Sequence, residues 1–122
     1  MSRKSASPLK RPVIDASSVT TLTGSLSAVA TAYASSGISL DGDEAVTLDD
    51  TTVAASDLNG LDGETSGTIN AGSVTTLTGT ASAVATAYAS SGISGLGNEA
   101  VTLDAGTASA SDLNAIDAAT DG

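Results

Sequence analysis

Shifted by 55 residues, this sequence overlays itself without a gap. Val13–Gly67 matches Thr68–Gly122 at 38 of 55 positions. The word SAVATAYASSGIS spans Ser27–Ser39 and again Ser82–Ser94, and EAVTLD spans Glu44–Asp49 and Glu99–Asp104. A self-match at a fixed period is the signature of a repeat architecture, in which each unit buries its apolar face against a neighbour. The chain therefore divides into a segment 1–12, a first repeat 13–67 and a second repeat 68–122.

Composition sets what such units can bury. Of 49 apolar residues, 22 are Ala and only 24 are Leu, Ile or Val. Phe, Trp and Cys are absent, and the only aromatics are Tyr33 and Tyr88. Each unit carries about twelve large aliphatics, worth roughly 2 kcal/mol each when buried, against the backbone entropy of 55 residues. Two units alone should be marginal, since repeat arrays usually need about three. This shortage predicts that the chain is completed by stacking on other copies or within a larger assembly.

Within one unit, Val74, Leu77, Ala81, Val84 and Tyr88 recur at spacings of three and four, as do Val19, Leu22, Leu26, Val29 and Tyr33. That apolar stripe predicts a helix over 80–90, reaching back over 74–79, with Ser73 as cap and Gly92 as stop. Gly79 and the threonines leave a second possibility, a start at Thr78 or Thr80 with Val74–Thr78 extended. Thr68–Asn70 leans to strand, and Ile93 sits in a loop-like stretch as a buried plug. Ala100–Asp104 alternates and reads as a strand. Ser111 caps a final short helix with Asp112 in its first turn. The expected fold is α/β: a tandem-repeat solenoid of two 55-residue β-α-β-α units with short parallel strands.

Charge divides sharply. All four bases, Arg3, Lys4, Lys10 and Arg11, lie in residues 1–12, while the 14 acids all lie in the repeats. The basic segment reads either as a solvated leader or as an assembly arm that docks on an acidic surface, such as the next subunit's repeat. Repeats this acidic would repel phosphate, so a nucleic-acid partner is not expected. No run of about 18 apolar residues is present to span a membrane, and no secretory signal is visible.

Enzymatic activity is not expected. There is no His to act as base and no Cys nucleophile, and both lysines lie outside the repeats. The two tyrosines read as packing residues, not sugar platforms. No cofactor is expected, with calcium the one ligand considered. Asp41, Asp43, Glu44, Asp49 and Asp50 cluster hard oxygen ligands. The second copy has Leu96, Asn98 and Ala105 in place of three of them, and no EF-hand spacing occurs. Turn residues and a solvated surface are the plainer explanation. An ice-binding ladder is not evident, since the T-x-T of Thr21–Thr23 recurs only once per unit.

The words SVTTLTGTASAVATAYASSGISGLGNEAVTLD and ASDLNAIDAATDG resemble the Ala/Thr/Ser/Gly/Asp-rich tandem repeats of giant secreted or surface proteins of marine cyanobacteria, and of structural proteins of their phages. The resemblance covers residues 13–122 and implies an extracellular, cell-surface or virion role, with no catalytic or binding residue attached.

The expected function is that of a structural repeat protein that self-assembles head-to-tail or docks in a larger assembly, such as a fibre, surface layer or virion accessory subunit. An open head-to-tail contact gives a filament. The alternative is a calcium-stabilised adhesion module excised from a giant surface protein.

Overall fold

The computed structural model describes residues 14–121. The basic segment with Arg3, Lys4, Lys10 and Arg11 lies outside these residues. The chain runs β1 (Ile14–Asp15), β2 (Thr21–Gly24), α1 (Leu26–Ala34), β3 (Ile38–Ser39), β4 (Ala45–Leu48), β5 (Thr52–Ala54) and α2 (Ala55–Asp62). It continues with β6 (Ile69–Asn70), β7 (Thr76–Gly79), α3 (Ala81–Ala89), β8 (Ile93–Ser94), β9 (Ala100–Leu103) and α4 (Ala110–Ala119).

The fold is α/β, and every strand pair is parallel. The strands form sheets of order β1-β3, β2-β4-β6-β8 and β5-β7-β9. Pairing follows one rule: a residue bonds the strand 24 residues on, as in Ile14↔Ile38, Thr21↔Ala45, Thr52↔Thr76 and Ile69↔Ile93. The β4–β6 step is one shorter, with Val46↔Ile69. The ladder does not follow the 55-residue sequence match. Identical TLTG words form β2 in the four-stranded sheet and β7 in the three-stranded one.

The helices pack in chain order, α1 on α2, α2 on α3 and α3 on α4. Ser25 caps α1 by accepting the Ala28 N–H (3.1 Å), and Thr80 caps α3 through Ala83 N–H (3.1 Å). Each contributes a stabilisation of about 1 kcal/mol. Asp50 Oδ1 also accepts the Leu26 N–H at 2.7 Å, tying the start of α1 to the chain 24 residues on. The core is one cluster of small and medium side chains. Val46, Leu48, Leu58, Leu61, Ile69, Leu77 and Val84 are almost wholly buried, and Ala55, Ala71 and Ala87 fill the gaps between backbones.

The structure corrects several expectations. Each copy holds more strands than β-α-β-α. The first runs β-β-α-β-β-β-α and the second β-β-α-β-β-α. Of the two possibilities for 74–79 the second holds: residues 76–79 are strand, with Leu77 inward between half-buried Thr76 and Thr78, and the helix starts after Thr80. Gly79 then takes φ +134°, which ends the strand and suits glycine. Val74 and Leu77 are buried as expected, but Leu77 from strand β7 and Val74 from the turn that its N–H closes on the Ala71 carbonyl. The caps also shift: Thr80 replaces Ser73, and Ser109, accepting from Asp112 N–H at 3.0 Å, replaces Ser111. Helix α3 ends at Ser90 and not at Gly92. Ile93 is buried as expected, but within β8.

Candidate functional site

Two features stand out from the sheet-and-helix frame. The first is a pair of buried carboxylates. Glu44 and Glu99 hold matching positions in the two copies, and both are fully buried. Tyr33, in the last turn of α1, donates its hydroxyl to Glu44 Oε1 at 2.6 Å. Tyr88, in the last turn of α3, donates to Glu99 Oε1 at 2.9 Å. Glu44 Oε2 also accepts the Asp41 N–H (2.9 Å), and the Gly42 N–H lies 3.2 and 3.3 Å from its two oxygens. Thr65 Oγ1 donates to the Glu44 carbonyl at 2.6 Å, as Thr120 does to the Glu99 carbonyl at 3.0 Å.

Among the described residues no cation neutralises either glutamate, since they contain no Lys, Arg or His. Within them, hydrogen bonds hold the buried carboxylates. Burial pushes Glu44 up, but the Tyr33 hydroxyl and the N–H groups of Glu44, Asp41 and Gly42 outweigh it and hold it below the usual carboxylate range. Burial, then the bond to Glu44, pushes the Tyr33 phenol up to about 12. Burial likewise raises Tyr88. Glu99 is less well served. Gly97 N–H donates to Oε1 at 2.8 Å, while Oε2 is buried with no hydrogen-bond partner among the described residues. Each pair fastens a helix end to the residue that leads into β4 or β9, across the intervening short strand. The sequence carried a signal for this that the packing reading of the tyrosines passed over: Tyr and Glu are 11 residues apart in both copies.

The five acids considered for calcium are not gathered. Glu44 turns inward with its oxygens engaged, Asp50 caps α1, and Asp41, Asp43 and Asp49 are exposed. Among the described residues, no group of three or more acidic or His/Cys side chains could hold a metal ion. A groove of about 580 Å³ between α1 and α2 is lined by Ala30, Ala34, Gly60 and the acids Asp50, Asp57 and Glu64. No described helix is long and apolar enough to cross a membrane.

The second feature appears when matched residues are compared. Ile69 is fully buried, but its counterpart Ile14 is 62% exposed. Leu58 is fully buried, but its counterpart Leu113 is 41% exposed. Leu77, Val46, Leu48 and Ala55 are buried, whereas Leu22, Val101 and Leu103 are half-buried and Ala110 is exposed. The differences sort by position, not by chemistry. The uncovered residues lie on β1, β2, β9 and α4, at the two extremes of the element order. The covered ones lie where β4, β5 and α2 of the first copy meet β6, β7 and α3 of the second. Each extreme thus presents what the middle of the molecule buries.

The chain matches no protein family, no curated protein and no solved structure with which it was compared.

Proposed function

We propose that the chain is a structural building block: an α/β solenoid of tandem repeats that stacks end to end on copies of itself. The supporting observation is the inverse burial of Ile14 against Ile69 and of Leu113 against Leu58. These are the two exposed large hydrophobics among the described residues, and they lie at opposite ends of the element order. A paired apolar surface left open at both ends favours a contact that does not close on itself, which propagates as a filament.

The described residues carry acids and no bases, so copies repel one another and the assembled array stays solvated. Screening by salt weakens this repulsion between exposed charges. The resemblance of the repeat words points to an extracellular fibre, surface layer or virion as the setting.

Sedimentation velocity across a concentration and salt series, with electron microscopy of the same samples, tests the reading. Open-ended species that lengthen with concentration and salt are expected. A single 11.6 kDa species at every condition would overturn it.

A further inference from the structure

Resting on that end-to-end reading, the geometry points to one register for the joint. The junction inside the molecule provides its template. There, β4 pairs with β6 through Val46↔Ile69 and Thr47↔Asn70, and β5 pairs with β7 through Thr52↔Thr76, Val53↔Leu77 and Ala54↔Thr78. Moving each partner along by the 55-residue match gives the contact between copies. Strand β9 of one copy pairs in parallel with β1 of the next, Val101 opposite Ile14 and Thr102 opposite Asp15. The segment Thr107–Ser109 pairs with β2 of the next copy, Thr107 opposite Thr21, Ala108 opposite Leu22 and Ser109 opposite Thr23.

Three observations support this register. First, the strand count closes. Among the described residues, the three-stranded sheet β5-β7-β9 ends on an unpaired edge at β9, and the two-stranded sheet β1-β3 begins on one at β1. Joined, they make one five-stranded sheet. Among the same residues the four-stranded sheet begins on an unpaired edge at β2, and Thr107–Ser109 supplies a fifth strand there too. Both sheets then have the same order and the same length.

Second, Thr107–Ser109 stands where the first copy has a strand. Its counterpart Thr52–Ala54 is strand β5, whose one partner is β7, whereas Thr107–Ser109 has no neighbouring strand and is irregular. Yet Ser109 at φ −79° and ψ 143° has nearly the same extended backbone as Ala54 at φ −83° and ψ 134°. At Ser109, pairing demands little rearrangement.

Third, the side chains fit the burial pattern. Val101 and Ile14 are the incompletely covered members of their kinds, and their counterparts Val46 and Ile69 lie opposite each other and are buried. Leu113 on α4 is brought against α1 of the next copy, as α2 with its buried Leu58 lies against α3.

The sequence has no Cys, so introduced pairs report alone. Residues directly opposite in a parallel pair lie within the Cα separation a disulfide spans. The variant carrying Thr102→Cys and Asp15→Cys is oxidised and run without reductant, beside one carrying Thr102→Cys and Thr21→Cys. The internal pair Thr47→Cys with Asn70→Cys checks that the geometry permits bridging. A ladder of covalent multimers from the first variant and none from the second is the expected result. Hydrogen exchange at Thr107–Ser109 should slow at least tenfold on assembly. Assembly by sedimentation with a ladder from the second variant, or with none from either, would overturn the register while leaving end-to-end stacking intact. A monomer with no ladder would overturn the stacking itself.

Discussion

Leu58 and Leu113 occupy the same word, SDLN, on matching helices, yet one is sealed in the core and the other is 41% exposed. Truncating each to Ala separates fold stability from assembly. At Leu58 the side chain is fully buried. Leu58→Ala therefore loses the transfer free energy of the removed carbons and leaves a cavity, which costs about 3 kcal/mol. At Leu113 no closed cavity forms, because the site opens to solvent. Only the transfer contribution of the covered part is lost, about 1 kcal/mol at roughly 0.8 kcal/mol per methylene. In dilute, low-salt solution the two variants should differ by about 2 kcal/mol. With a urea slope near 2 kcal/mol per molar, the Leu58→Ala midpoint falls about 1 M below that of Leu113→Ala. Under assembling conditions the order reverses for the other readout. Leu113→Ala should abolish or sharply weaken the fast-sedimenting species, while Leu58→Ala retains it as long as the chain stays folded. Equal urea midpoints would refute the burial argument. Unchanged sedimentation of Leu113→Ala would refute the role of the exposed end.

The Tyr–Glu locks predict a graded loss. Tyr33→Phe removes a hydrogen bond to a buried charge and should cost about 2 kcal/mol in thermal or urea unfolding. Tyr88→Phe should cost at least as much, because Glu99 is left with a single N–H donor at one oxygen. The same groups set a pH window. Glu44 titrates below its ordinary value of 4.5 in the folded chain, so its stabilisation is complete above that value and fades as pH falls through the folded pKa. Tyr33 titrates at about 12 instead of 10, so its contribution is present below pH 10 and is lost as pH rises towards 12. Circular dichroism across both limits should show acid and alkaline unfolding, with the alkaline limb altered in Tyr33→Phe. Gly60 lies inside α2, a Cβ there would meet nothing, and the second copy has Ala115 at that place. Gly60→Ala should raise the urea stability by about 1 kcal/mol. A Cβ on Gly67 would instead stand 2.6 Å from the Glu44 carbonyl carbon and 2.8 Å from the Asp43 oxygen, so Gly67→Ala should abolish cooperative unfolding. At the proposed joint, Asp15 stands where the second copy has Asn70. Asp15→Asn should lower the salt needed for assembly, as read by light scattering.

The sequence made some levels of this structure easier to read than others. The 55-residue match, the Ala-rich helices and the alternating Ala-Val-Thr-Leu strands are visible because identity and periodicity are local properties. The stretch Val74–Thr78 is ambiguous for a physical reason. Val74 and Leu77 are three apart, which suits a helical stripe, yet Leu77 is equally the inward residue of an alternating strand between two threonines. Gly79 with its positive φ decides between them, and a glycine's φ cannot be read from its letter. The 24-residue ladder is hidden because the paired residues are unlike one another, such as Thr21 with Ala45. Hydrogen bonding between backbones imposes no side-chain identity. The Tyr–Glu pairs were within reach, since both residues are scarce here and keep the same spacing. The acidic run 41–50 misled because sequence proximity says nothing of direction. Alternation along the strand and its approach turns Glu44 inward while Asp43 stays outside.

The fixed 24-residue span of strand pairing also governs how such a chain would come apart and form. Every ladder contact closes a loop of 23 or 24 residues, so the entropic cost of closure does not grow along the chain. Sequence-distant contacts, the usual brake on forming parallel sheets, are absent from this ladder, and zippering from any starting pair should be fast. Pulled from its two ends, the molecule should yield in two alternating lengths. The 24 residues from Ile14 to Ile38 would add about 80 Å of contour at roughly 3.4 Å per residue, and the longer stretch from Ile38 to Ile69 about 105 Å. A single-molecule force trace would read the repeat directly as a staircase of alternating steps.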